Sequence, residues 1–319
     1  MRRIVALFIV PLIAGLALAG CGSSAPPPAN SSVTAKGSFG SKPTVTIPKE
    51  KASSTLAVKT LVQGKGATIT KSDLFLSNFT IYVWSGKTNK LLDSTYSSSP
   101  QVLPASLLPG IQSAVTGKKV GSRVLAVIPP KEGYGTSGNS ELGVTGSDTL
   151  VFVLDLIQKY NSGTVGATGS QTYSGGGSLP TVSKAVANKA PTITIPKNAT
   201  APTSLVTKTL IKGTGPTVTK GEDLVAQYVG VNWRTGKVFD SSWSRSLPYS
   251  FKIGASPSQV IKGWDLGLVG QTVGSRVLLV IPPGDAYGKT GQSQAGIKGT
   301  DDLVFVVDIV GAVSPNATS

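Results

Sequence analysis

The chain has 319 residues, no His, one Cys and a net charge of +15 from 30 Lys and Arg against 15 Asp and Glu. Without His, the Ser-His-Asp and Cys-His nucleophile arrangements and the usual zinc sites are excluded, and a lone Cys forms no intramolecular disulfide. The basic residues are scattered, with no long run, so the charge is read as solubility and attraction to an anionic surface, with no nucleic-acid partner.

Residues 1–20 open with Arg2 and Arg3 and run through an apolar stretch to small residues before Cys21. That is the pattern of a secretory signal peptide, short for a transmembrane helix. Leu18-Ala19-Gly20-Cys21 resembles the bacterial lipobox. The resemblance implies a lipid anchor on Cys21 and a place on the extracytoplasmic face of a cell membrane; the alternative is a secreted protein with a stray Cys. Residues 21–42, rich in Ser, Ala, Pro and Gly, read as a disordered tether.

Two copies of one pattern follow, residues 43–160 and 191–319. PTVTIPK from Pro43 returns as PTITIPK from Pro191, and VGSRVLAVIPP returns as VGSRVLLVIPP. The spacing is far beyond that of a solenoid, so this is a tandem duplication. Between the copies, residues 161–190 read as a flexible Gly/Ser-rich linker that lets two domains tumble semi-independently. Each copy reads mainly as strand. In the second, β-branched or alternating runs at 205–211, 224–233, 249–253, 276–281 and 303–310 are bounded by Gly, Pro and Asp, with one short helix over 262–269. The fold class is α+β, with the helix on one face of an antiparallel sheet.

The second copy also concentrates aromatic rings: Tyr228, Trp233, Phe239, Trp243, Tyr249, Phe251 and Trp264 fall in one window. Any one ring is explained by a core. Asp240, directly after Phe239 and flanked by rings, points instead to a satisfied carboxylate in an apolar cleft, the make-up of a small-ligand site.

YVGVNWRTGKVFDSS, PYSF, VIKGWDLGL, VGSRVLLVIPPGDAYG and LVFVVDIV follow one another from Tyr228 to Val310, within a resemblance that covers roughly residues 205–310. Their order and spacing resemble the FKBP-type peptidyl-prolyl cis-trans isomerases, the macrolide-binding immunophilins. The resemblance implies two tandem FKBP-like domains, each an antiparallel half-barrel wrapped on one short helix, with the pocket between helix and sheet. It implies proline-containing polypeptides as substrates, macrolides as inhibitors, and no cofactor or metal. It places Trp264 at the pocket floor, Tyr228, Phe239, Tyr249 and Phe305 as walls, and Val260 and Ile261 along a rim. Tyr287 and the Ile261 N–H would donate to substrate carbonyls, Asp240 would orient Tyr228, and Ile297 would contact substrate from the loop over 288–300. Phe305 and Phe251 fit a plain core equally well, and Val260 could pack under the helix. The family often has a His near the position of Gln292, and this chain has none.

Aligned on the second copy, the first puts Asn78 at the Tyr228 position, Leu92 at Phe239 and Ile111 at Trp264, while Asp93, Tyr134 and Phe152 persist. The first copy therefore reads as degenerate. The leading function is a prolyl isomerase assisting the folding of exported proteins at the cell envelope. The alternative is a non-catalytic chaperone or envelope protein-binding module, because both use one apolar cleft.

Overall fold

Arg276–Ile281 (RVLLVI) does not alternate apolar with polar, and each of its residues is buried. A strand of this kind belongs to a sheet covered on both faces. The computed structural model describes residues 29–86, 88–161, 166–167, 169–186 and 189–314. The signal-peptide and Cys21 readings lie outside the described residues.

The first domain contains β1 (Thr34–Lys36), β2 (Thr44–Thr46), β3 (Ala57–Val62), β4 (Leu74–Ser85), β5 (Thr88–Ser94), β6 (Gln101–Pro104), α1 (Pro109–Val115), β7 (Arg123–Ile128) and β8 (Thr149–Tyr160). The second contains β9 (Thr181–Val182), β10 (Ile193–Thr194), β11 (Val206–Ile211), β12 (Asp223–Asn232), β13 (Val238–Ser241), β14 (Tyr249–Lys252), α2 (Lys262–Leu268), β15 (Arg276–Ile281) and β16 (Leu303–Val313). The main sheets are antiparallel and equivalent, β3-β7-β8-β4-β5 with β6 beside β4, and β11-β15-β16-β12-β13 with β14 beside β12. The α+β half-barrel on one helix is thus present twice. Strand β13 is absent from the sequence reading because a four-residue VFDS segment shows no alternation.

Each sheet has an inner core against its helix and an outer core on the opposite face. In the second domain Phe251, Leu268, Leu279, Ile281 and Val307 fill the inner side. Leu278, Val280, Val304, Val306 and Trp233 fill the outer side beneath Val182 and Ile193 of the β9–β10 pair. In the first domain the β1–β2 pair does the same, with Val33 and Ile47 over Trp84, Leu125, Val127, Val151 and Val153.

This overturns the reading of residues 21–42 as a disordered tether throughout: from residue 29 the chain is folded onto the first domain. Asn30 is buried and its amide exchanges hydrogen bonds with the Ser53 carbonyl and N–H. The described residues between 161 and 190 are likewise more than a linker. The Ala167 N–H donates to Asp308 Oδ2 at 3.0 Å, Thr172 N–H donates to the Leu210 carbonyl at 2.9 Å, and Val182 is buried. A few apolar residues in a Gly/Ser-rich segment suffice, because the uncovered outer face would otherwise leave large apolar side chains in water.

A buried ion pair marks the same join in both domains. Arg123 Nε donates to Asp155 Oδ1 and Arg276 Nε to Asp308 Oδ1, each at 2.6 Å. The covering segments supply further donors, the Gly40 N–H to Asp155 Oδ2 at 2.7 Å and Ala167 to Asp308.

The two domains do not tumble independently either. Leu74, Leu76, Val102 and Tyr160 of the first form one apolar cluster with Val225 of the second, and Ile157, Leu247, Val310 and Val313 pack against it. A Cβ at Gly311 would lie 2.5 Å from the Tyr160 hydroxyl, so the absence of a side chain there lets the domains close.

Candidate active site

Between α2 and the concave face of the second sheet lies a cavity of about 470 Å³. Strand β12 supplies Tyr228, β13 supplies Phe239 and Asp240, and the turn that follows supplies Arg245. Tyr249 comes from β14, Gln259, Val260 and Ile261 from the approach to α2, Trp264 from α2, Tyr287 from the loop after β15, and Phe305 from β16. The sequence reading therefore assembles as one site, with one exception.

The exception is Ile297, expected as a substrate contact. It is 3% exposed and belongs to the inner core. Reciprocal backbone bonds between Gln292 and Ile297, 2.9 and 3.0 Å, fold the loop back on itself, and Ile297 is packed inward. Phe251 is core, stacked 5.4 Å from Tyr249 and tilted at 58°, 5.4 Å from Trp264. Phe305 is both, buried in the core and present in the cavity wall.

The rings brace one another edge to face, the arrangement their quadrupoles favour. Trp264 lies 5.1 Å from Tyr228 at 82° and 5.3 Å from Phe305 at 89°, and Phe239 meets Phe305 at 5.5 Å and 89°. Trp264 is 4% exposed, as a floor must be. Tyr249 and Tyr287 stand at the mouth, both exposed.

One corner of the cleft is polar. The Tyr228 hydroxyl donates to Asp240 Oδ2 in a short hydrogen bond. Arg245 donates to Asp240 Oδ1 at 2.6 Å and to the Tyr228 hydroxyl at 2.8 Å, and its guanidinium sits 5.8 Å from the Tyr228 ring centre. Burial disfavours the Asp240 charge, but the bonds from Arg245, Tyr228 and the Ser241 N–H outweigh it and hold the carboxyl below its usual range. Burial first, and then Asp240, push the Tyr228 phenol up. Asp240 sits at the rim with its side chain 39% exposed, not sealed within the cleft. The sequence reading passed over Arg245, whose signal was a cation five residues after Asp240, and Gln259, which carried none.

The first domain differs in a way the sequence alignment misplaced. Asp308 stands opposite Gln227, and Asp155 stands opposite Asn78. Asn78 is therefore the counterpart of Gln227, and Phe79 is that of Tyr228. The Phe79 N–H accordingly bonds Thr95 Oγ1 at 2.9 Å as the Tyr228 N–H bonds Ser242 Oγ at 2.8 Å. The slip is one residue, which in a strand exchanges the two faces. The ring thus persists without its hydroxyl. Ile81 occupies the place of Gly230, since Ile81 pairs with Phe152 and Gly230 with the equivalent Phe305. Ile81, Leu92 and Tyr134 pack against the first domain's core around Ile111 and Phe152.

A ring-lined cleft with a few hydrogen-bonding groups at one corner and the mouth is suited to holding a peptide and turning it about a bond. An X-Pro bond has a rotation barrier of about 18–20 kcal/mol from amide resonance. The twisted transition state loses that resonance and its charge separation, so a dry apolar wall favours it over the planar amide without a nucleophile or base.

The comparisons with known proteins agree with this class. The family model described as FKBP-type peptidyl-prolyl cis-trans isomerase matches residues 66–157 and 215–310, more than half of the chain. The chain belongs to this family and is a peptidyl-prolyl cis-trans isomerase with two such domains. It is 42% identical over 109 residues to an FK506-binding protein of Streptomyces anulatus, covering 34% of this chain and 86% of the relative. It is 38% identical over 112 residues to a probable FK506-binding protein of Corynebacterium glutamicum, covering 35% and 90%. A crystal structure of a peptidyl-prolyl cis-trans isomerase from Pseudomonas syringae is 30% identical, covering 34% of this chain and 76% of that one, with a TM-score of 0.31.

Proposed function

We propose that the second domain carries the isomerase activity and the macrolide affinity, and that the first carries little of either. The observation behind this reading is the unfilled cleft of the second domain, with Trp264 as floor and Tyr228, Phe239, Tyr249 and Phe305 as walls. Tyr287 and the Ile261 N–H serve substrate carbonyls, and Asp240 with Arg245 fixes the Tyr228 hydroxyl. In the first domain, Ile81 and Leu92 replace Gly230 and Phe239, and Ile111 replaces the floor. The clients are exported polypeptides, and Cys21 anchors the enzyme to the outer side of a cell membrane; the motif at residues 18–21 supports this.

Isomerisation of a short Xaa-Pro peptide by the full chain tests the division. Trp264→Leu is expected to lower kcat/KM roughly a hundredfold, since each 1.36 kcal/mol of lost transition-state stabilisation is tenfold. Ile111→Leu is expected to leave it unchanged. Equal effects would defeat the assignment. For the anchor, detergent-phase partitioning of the wild type is expected to be lost in Cys21→Ser, and a wild type that stays in the aqueous phase would refute it.

A further inference from the structure

Gln259 enters the wall of the cleft just before Val260 and Ile261. Its side-chain oxygen accepts a hydrogen bond from the Lys252 backbone N–H at 2.8 Å and a second, at 3.0 Å, from Ser99 Oγ of the first domain. A backbone N–H only donates, so the amide oxygen is fixed on that side. The NH2 group is then the end left for a ligand, with no acceptor among the described residues.

Ser99 is suited to hold it. It is 6% exposed, where an unpaired hydroxyl would be unfavourable, and Gln259 shares that hydroxyl with the neighbouring Asp223 carboxylate. Its neighbour Pro100 accepts a bond from Ser250 Oγ at 2.9 Å. Ser250 follows Tyr249 in β14, so Ser99 and Pro100 together grip both rim segments, the one that carries Tyr249 and the one that carries Gln259. A free Gln side chain has several rotamers to lose when it binds. The bond from Ser99 removes that freedom before a substrate arrives.

We propose that Ser99 of the first domain is a positioning residue for the active site of the second: it fixes Gln259 so that the Gln259 NH2 donates to a main-chain carbonyl of the polypeptide flanking the X-Pro bond. The first domain, in which Ile81, Leu92 and Ile111 stand where the second has Gly230, Phe239 and Trp264, serves the reaction by building part of its neighbour's rim. The contact lies beside the rotating bond and is made equally to ground and transition states, so its loss raises KM and leaves kcat in place. This rests on the assignment of catalysis to the second domain.

The test uses the full chain and a short Xaa-Pro peptide, with kcat and KM measured separately. Ser99→Ala is expected to raise KM roughly twofold to tenfold, the range of one hydrogen bond, at unchanged kcat. Ser99→Thr, which keeps the hydroxyl, restores KM. Gln259→Glu keeps the acceptor and removes the donor, so it also raises KM. In a Gln259→Ala background, Ser99→Ala adds nothing. Unchanged KM in Ser99→Ala or in Gln259→Glu, or the same rise from Ser99→Ala in both backgrounds, overturns the proposal. If these variants are flat while Trp264→Leu is inactive, only the positioning role falls; if Trp264→Leu keeps full activity, the second-domain assignment falls and the proposal with it.

Discussion

The Phe239 ring lies over Gly230 so closely that a Cβ on Gly230 would lie 2.7 Å from Phe239 Cζ, and 2.8 Å from Phe305 Cε1. Two walls of the cleft therefore depend on a missing side chain. The first domain shows the other solution, Ile81 with the smaller Leu92. Gly230→Ala is expected to destabilise the second domain by about 1–3 kcal/mol through overpacking and to lower kcat/KM. Adding Phe239→Leu is expected to recover stability but not activity. Denaturant midpoints and isomerisation rates on the same samples check both.

Asp240→Val should cost activity more than stability. The carboxylate is 39% exposed and its Arg245 partner 51%, so the pair contributes on the order of 1 kcal/mol or less to folding. Its larger part is to hold the Tyr228 hydroxyl and the guanidinium in place. A roughly tenfold fall in kcat/KM corresponds to about 1.4 kcal/mol, within the range of a hydrogen bond to a charged group. A variant that unfolds yet is fully active per folded molecule would make Asp240 structural.

The buried pairs should behave in the opposite sense. Asp308→Ala leaves Arg276 charged and 3% exposed without its partner, a loss of about 3–5 kcal/mol. Asp155→Ala is expected to do the same to the first domain through Arg123. Neither residue lines the cleft, so kcat/KM per folded molecule is expected to hold while the unfolding midpoint falls.

The pH dependence follows from the groups at the site. The Asp240 carboxyl is held below its unfolded value, so the stability it contributes is complete above about pH 4 and is lost as pH falls through the folded value. The Tyr287 phenol is pushed up by burial, with smaller contributions from Asp240 and Tyr249, and stays neutral. With no His in the chain, kcat/KM is expected to be flat from roughly pH 5 to 9. A titration near neutrality in a rate profile would contradict this account.

Much of the second domain was legible because its signals are local. β15 is bounded by Gly274-Ser275 and Pro282-Pro283, and the predicted and observed strands coincide at 276–281. The helix expected over 262–269 ends at Leu268. The ring set assembled because Tyr228, Phe239, Tyr249 and Phe305 fall on four strands of one small sheet, with Trp264 on the helix packed against it and Tyr287 in the loop after β15. The misses were those that depend on distant partners. Asn78 and Phe79 are adjacent, and only the register against Asp155 says which faces the core. Ile297 is turned inward by backbone bonds that carry no residue signature. Val33 and Val182 are lone apolar residues in Ser- and Gly-rich stretches, so composition hid the outer covering. The unbroken apolar run of β15 nonetheless required one.

The contact between the domains has a further consequence. Leu76 and Val225 hold equivalent positions in the two copies, as do Ile157 and Val310, and Tyr160 and Val313, and all six lie in the shared cluster. Much of the patch is thus common to both copies, although Leu74 and Val102 of the first are matched by Asp223 and Ser250 of the second, so the contact approximates the self-complementary geometry of a two-fold dimer. Such a contact closes: once the two patches meet, neither is left to recruit a third copy into a growing row. The duplication placed in one polypeptide what a pair of separate subunits would otherwise form by collision, at a local concentration set by the connecting chain rather than by expression level.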